Sequence, residues 1–356
     1  MLMGFVNPLK PLKQAHYGDV EGALTILARN ALTRTARLVL PAAAVTAIAW
    51  LFCQLGFFDL ARESSAYWIQ VNSPDPSESW RQALWDLFQA LLNTWIKEEN
   101  IYDQPQWALP HLLRGSMYIF VLILITITMT PKFRIYAILF AYSYSWVSGE
   151  SLLGSTAAGV LLSELYSSAV RSFESRHTRI LAVVGAILGL FLMSFPSEFQ
   201  DWKPWTRQLS FIGHLIFPEN ADMGRYWCGI GAQVLCFSVY FSPDLRALFN
   251  MPFLTWLGSI SFSLYLLHGP LIRSLLVWMI FGPQWLVGIE YVNGKMPLPG
   301  AFTMVIVLPC FGAILLAVSA LWTYEVEPYF GKATNKLQEW ACGGQSGLPS
   351  QRKTHT

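Results

Sequence analysis

The chain has 356 residues, of which 54% are hydrophobic and 13% charged, and its mean hydropathy is +0.40. Soluble domains carry about 25% charged residues, so this composition excludes an ordinary soluble domain. A net charge of +2 argues against a nucleic-acid partner, and five scattered cysteines with no paired spacing argue against a metal site or disulfide framework.

Residues 1–37 read as an N-terminal cytosolic segment, because they lack both a long apolar run and the pattern of a secretory signal. Charge-free runs then recur at 38–58, 115–131, 135–149, 180–197, 226–243, 247–272 and 296–324, with 151–170 broken only by Glu164. A transmembrane helix needs about 20 mostly apolar residues. Lipid offers the backbone no hydrogen-bond partner, so such runs must be helical. The expected fold is therefore all-α, a polytopic transmembrane bundle of about eight to nine spans filling residues 38–330. The ninth would come from 274–288, whose Trp278, Pro283 and Trp285 also suit an interfacial helix. The short run 209–217 is expected at the surface or re-entrant.

Between the first two spans, residues 59–106 read as an extramembrane loop carrying one amphipathic helix over 80–97, laid on the bundle. Arg29, Arg34 and Arg37 precede the first span, Lys132 and Arg134 follow the second, and Arg171, Arg176 and Arg179 follow the fourth. Lys332, Lys336, Arg352 and Lys353 follow the last. An eight-span count places all of these on one side, with both termini cytosolic. Residues 331–356 are expected to be a disordered tail.

Ionisable groups within a membrane are costly and mark candidate sites. His268 follows Gly258-Ser-Ile-Ser-Phe-Ser-Leu-Tyr-Leu-Leu, with Tyr265 and Ser261 on earlier turns of the same face. Imidazole titrates near neutrality and can move the proton of a hydroxyl. The competing structural role is a helix-terminal histidine bonded to a freed carbonyl before Gly269-Pro270. His111 and Arg114 share a face at the start of the second span, either as site residues or as interfacial anchors. Arg34 and Arg37, one turn apart, suit phosphate oxygens, although any first span carries such a positive flank. Glu325 and Glu327 read as acids ending the last span. His16, His177 and His355 lie in polar stretches and read as solvated.

The stretch from Phe253 to His268, Phe-Leu-Thr-Trp-Leu-Gly-Ser-Ile-Ser-Phe-Ser-Leu-Tyr-Leu-Leu-His, resembles the late-helix signature of the acyltransferase 3 family. The fungal branch of that family is also similar at Arg34-Thr-Ala-Arg-Leu-Val-Leu-Pro41, at Trp107 to Ser116, at Lys10-Pro-Leu-Lys13 and at Glu327-Pro328. The resemblance implies a multi-pass membrane O-acyltransferase. It would move an acyl group, typically acetyl, from acyl-CoA to a hydroxyl of a small molecule or a sugar, with no permanently bound cofactor. It implies acyl-CoA contacts at Arg34 and Arg37, to which Arg114 is added as a candidate, and pocket residues at Ser263, Tyr265 and His268. The expected partners are acyl-CoA, a hydroxylated acceptor and the lipid bilayer, and the expected address is the endoplasmic reticulum.

Two departures stand out. The family's opening membrane helix, with Arg, ten residues and then the His expected as base, has no counterpart in this chain. The Glu that commonly follows its Trp-x-x-Pro motif is replaced by Leu112. His268 and His111 are left as candidate bases. A truncated, catalytically inactive relative and a small-solute transporter are the alternative readings.

Overall fold

The computed structural model describes residues 1–167, 176–288 and 295–341, and all regular structure there is helical apart from one isolated bridge between Ser64 and Met296. Arg171, Cys342, Arg352, Lys353 and His355 fall outside the described residues. In chain order the helices are α1 (Leu2–Val6), α2 (Leu9–His16), α3 (Val20–Gln54), α4 (Asp59–Glu63), α5 (Tyr67–Val71) and α6 (Trp80–Ile96). A 3₁₀ turn (Gln104–Trp107) then leads into α7 (Ala108–Thr126), α8 (Pro131–Val147), α9 (Ser151–Ser167), α10 (Arg176–Met193), α11 (Pro204–Ile216) and α12 (Met223–Phe241). The remainder is α13 (Pro243–Phe249), α14 (Pro252–Leu271), a π-turn (Ile272–Leu276), α15 (Val277–Val287), α16 (Ala301–Leu321), a second π-turn (Trp322–Val326) and α17 (Glu327–Ala341).

Among the described residues four helical paths, rather than eight or nine, are long and apolar enough to cross a membrane: Val20–Gln54, Gln104–Thr126, Pro252–Val287 and Ala301–Ala341. The physical reason is length and dilution. Helices α8 and α9 have 17 residues each, and α12 carries Arg225, Gln233 and several glycines. The segment weighed as a separate ninth span is instead the continuation of α14 through a π-turn into α15. Four long, apolar helices suggest a membrane protein. The helix read as the first span starts at Val20, well before its apolar run, and α17 carries helix on to Ala341.

The described residues divide into two compact units, one of Met1–Leu32 with those of His111–Thr255, the other of Thr33–Pro110 with those from Trp256 to Ala341. In the first unit Leu12, Ala23, Leu27, Ile119, Ile123 and Ile138 form a buried core. Helices α10 and α12 cross where Gly189 faces Gly231: a Cβ on Gly231 would lie 2.5 Å from the Gly189 carbonyl oxygen. Small residues at such a crossing let two backbones meet.

The charged centre of this unit is Arg134, 3% exposed, whose Nη1 lies 3.2 Å from the carboxylate of fully buried Glu164. Its remaining donors reach the carbonyls of Thr126 (3.2 Å), Ile127 (3.2 Å) and Met129 (3.0 Å), closing the open C-terminal end of α7. Arg134 was expected only as part of a cytosolic positive flank. It is buried because those carbonyls and Glu164 need a donor more than the flank needs a surface charge. His16, also expected to be solvated, places Nε2 3.3 Å from Glu164 and Nδ1 2.8 Å from the Leu12 carbonyl.

Removing one partner of a buried pair strands the other. Arg134→Met should cost about 3–5 kcal/mol of stability in detergent unfolding. The double variant Arg134→Met/Glu164→Leu should recover part of that loss. A single-variant cost under about 0.5 kcal/mol, the range of ordinary surface substitutions, would refute the pairing.

Candidate functional site

The second unit holds a polar cluster around His268. Pro270 cannot donate a backbone hydrogen bond, so α14 loosens into the π-turn at Ile272–Leu276. Such turns often sit at functional sites. His268, half-buried, has Nδ1 2.6 Å from the Tyr265 carbonyl. A carbonyl only accepts, so Nδ1 carries the proton and the lone pair of neutral imidazole is left on Nε2. This is not the helix-ending role foreseen for the histidine, since α14 runs on to Leu271 and the carbonyl that Pro270 leaves without its donor is that of Leu266 rather than Tyr265. The Tyr265 hydroxyl donates to the Pro105 carbonyl.

Five positions beyond His268, Arg273 is 4% exposed and spreads its guanidinium over the backbone. Nε donates to the Gly269 carbonyl (3.2 Å), Nη1 to the Asn72 carbonyl (2.8 Å) and Nη2 to the Tyr102 carbonyl, while Asp103 Oδ1 lies 3.4 Å away. The guanidinium also stacks 4.8 Å from the Phe58 ring centroid. Asp103 is wholly buried and accepts from Gln106 Nε2 at 2.9 Å. Gln106 in turn accepts from Thr46 at 3.1 Å, and Asn100 bonds Thr46 and the backbone amides of Tyr102 and Asp103. A Cβ on Gly269 would fall 2.3 Å from Asp103 Oδ1, so only glycine lets α14 come this close to the carboxylate.

Burial pushes the Asp103 carboxyl up to about 6 from its ordinary 3.8, against the opposing pull of Arg273, the Gln106 hydrogen bond and His268. A cavity of about 400 Å³ opens beside Asn72 and Asn100 of this cluster, lined also by Glu98, Gln104 and Trp107 but not by His268.

The other residues singled out in the sequence scatter. Ser263 is fully buried, but its hydroxyl belongs to a second group, 2.6 Å from Thr323 Oγ1 and 2.6 Å from Glu327 Oε1 beside the second π-turn. Glu327, expected as a helix-ending acid, is engaged inside the unit. Ser261 is exposed and bonds its own helix at the Gly258 carbonyl, so it leaves the stripe proposed with Tyr265 and His268. Arg34 and Arg37 stand one turn apart on α3, and Arg34 Nε is buried with no hydrogen-bond partner among the described residues. His111, half-buried, and Arg114, exposed, belong to the first unit, on the opening turns of α7.

Asp103, Arg273, Gln106 and Asn100 were missed in the sequence. Arg273 had a signal, being the first charge after the run 247–272. The others sit in a loop whose composition looks solvated. Among the described residues no group of three or more His, Cys, Asp or Glu is placed to hold a metal.

No family model matches the chain, and no solved structure matches it. It is 24% identical to the O-acetyltransferase PaAT-1 of Phomopsis amygdali over 77% of its length and 61% of that protein's. It is 22% identical to the acyltransferase clz18 of Cochliobolus lunatus, over 80% of this chain and 67% of that one. To the acyltransferase R4 of a Phoma species it is 28% identical over 44% of this chain and 31% of that one. The chain spans about three fifths to two thirds of the length of the first two relatives. All three relatives carry acyltransferase names.

Two stability outcomes follow from the Arg273 cluster. Arg273→Ala leaves a buried carboxylate and backbone carbonyls unpaired and should cost about 3–5 kcal/mol, read as a lowered unfolding midpoint in detergent. Because the folded Asp103 holds its proton more tightly than the unfolded chain, its contribution is complete below about pH 3.8 and is lost as pH rises through about 6. Asp103→Asn should therefore flatten the unfolding profile between pH 4 and pH 7; an unchanged profile would contradict this.

Proposed function

We propose that the chain is a membrane-bound O-acyltransferase that moves an acyl group, most simply acetyl, from acyl-CoA to a hydroxyl of a small molecule or sugar. The observation that carries this reading is His268, its tautomer set by the Tyr265 carbonyl, one residue before the glycine that abuts buried Asp103. Relatives named as acyltransferases, one of them an O-acetyltransferase, support the same chemistry.

In this reading Nε2 of His268 takes the acceptor's hydroxyl proton as its oxygen attacks the thioester carbonyl. The tetrahedral intermediate collapses by breaking the carbon–sulfur bond, and the proton passes to the departing thiolate, giving an ester and coenzyme A. Asp103 stabilises the imidazolium that forms between the two transfers. Arg34 and Arg37 supply fork-shaped donors for the phosphates of coenzyme A. His111 and Arg114 are a secondary candidate base and phosphate contact. The membrane address in the endoplasmic reticulum and a multi-pass topology belong to the same proposal.

Membranes holding the chain, given radiolabelled acetyl-CoA and an extract of hydroxylated metabolites, should incorporate label. His268→Ala should lower the rate about 10²–10⁴-fold, the usual worth of a proton-transfer group. Arg34→Ala should raise the KM for acetyl-CoA with less effect on kcat. Full activity in both His268→Ala and His111→Ala would end the assignment. Solute uptake into vesicles without label incorporation would favour a transporter.

A further inference from the structure

Helix α6 has two unlike faces. Its inner face is made of small residues, Ala83, Ala90 and Thr94, all buried. This face is tied to the last turns of α3. Trp50 Nε1 donates to the Ala83 carbonyl at 2.8 Å, the Trp50 and Trp80 rings meet edge to face at 6.2 Å, and Ser77 bridges Gln54 to Asp86. The outer face presents Leu84, Trp85, Phe88, Leu92 and Ile96, between 43% and 73% exposed, with Trp80 at its start. Such a row runs along the whole helix, about 25 Å at 1.5 Å per residue. Soluble surfaces rarely carry an apolar patch of that extent.

Two further observations specify the occupant. Trp50 lies four residues before the end of α3, about 6 Å along its axis, so α6 is fixed at the level where that apolar path ends. At that end Leu51 on α3, and Leu55 and Phe57 just beyond it, are also exposed. Within α6 the one acid, Asp86, turns to Ser77 and Gln82 and Arg81 is exposed, while charges of both signs, Glu78, Lys97 and Glu99, flank the helix at exposed positions. An amphipathic helix with aromatic and aliphatic residues on one face and charged residues at its margins suits the headgroup region of a bilayer.

We infer that the outer face of α6 is a membrane-interface surface, buried among the headgroups and upper acyl chains of the leaflet in which α3 ends. This rests on the reading that α3 crosses a bilayer. It adds a consequence for the candidate site: α6 runs directly into residues 98–103, so the cavity lined by Glu98, Asn100 and Trp107 opens at the lipid surface, where an acceptor with apolar character concentrates.

The test is photocrosslinking of the full chain in phosphatidylcholine vesicles containing radiolabelled lipid, with its own cysteines left in place. Benzoylphenylalanine replaces Phe88, Glu78 or Leu308 in separate proteins. Phe88→benzoylphenylalanine should give a labelled lipid adduct in a yield approaching that at Leu308 in apolar α16, with Glu78 at background. A background signal at position 88 beside a strong one at 308 overturns the inference while leaving the membrane reading intact. A crosslinked dimer in place of the lipid adduct at position 88 also overturns it, by making a second copy the occupant. Background at 308 removes the membrane reading itself, and the inference with it.

Discussion

The guanidinium of Arg273 is the constraint on which the candidate site depends. Three of its donors end on the carbonyls of Gly269, Asn72 and Tyr102, and its charge faces Asp103. Burying a cation is tolerable only when hydrogen bonds and an opposing charge replace water. Here those partners come from α14 itself and from segments 170 and 201 positions away in sequence. One side chain thereby fastens the loop around residues 100–106 to α14, and with it the carboxylate that abuts Gly269, the residue after His268.

The break in α14 makes that fastening possible. Pro270 removes a backbone donor and the helix widens into a π-turn, so Arg273 turns back along the axis to the Gly269 carbonyl. Gly269 contributes by lacking a side chain where Asp103 Oδ1 approaches. The second π-turn, at Trp322–Val326, stands beside the Ser263–Thr323–Glu327 group in a comparable way. In both places an irregular helix turn accompanies a buried polar group, consistent with freed backbone groups being re-satisfied locally where no water is at hand. The first unit solves the same problem with Arg134, which closes the end of α7 and pairs with Glu164.

Much of the helical framework was legible residue by residue. The helix expected over 80–97 is α6 at Trp80–Ile96, because a polar start, an apolar stripe and a terminal Lys-Glu-Glu mark both ends. The span count was less legible: apolar length alone cannot tell a run that continues through a π-turn from two separate helices, as α14 and α15 illustrate. Tyr265 and His268 were visible as a candidate pair since their spacing puts them on one helical face. Asp103, Gln106 and Asn100 were not, since a polar loop residue looks the same whether it is solvated or buried against a distant arginine.

By itself, then, the sequence determined that the chain is helical and apolar enough for lipid. Both follow from local composition, because each backbone bond in a helix closes within a few residues. Only the tertiary structure decided what the charges do. Arg134 and His16 meet Glu164, Arg273 meets Asp103, and Ser263 meets Glu327, each through partners that sequence order keeps far apart. The reason is that the cost of burying a charge depends on what surrounds it in space, and those surroundings exist only once the helices have packed.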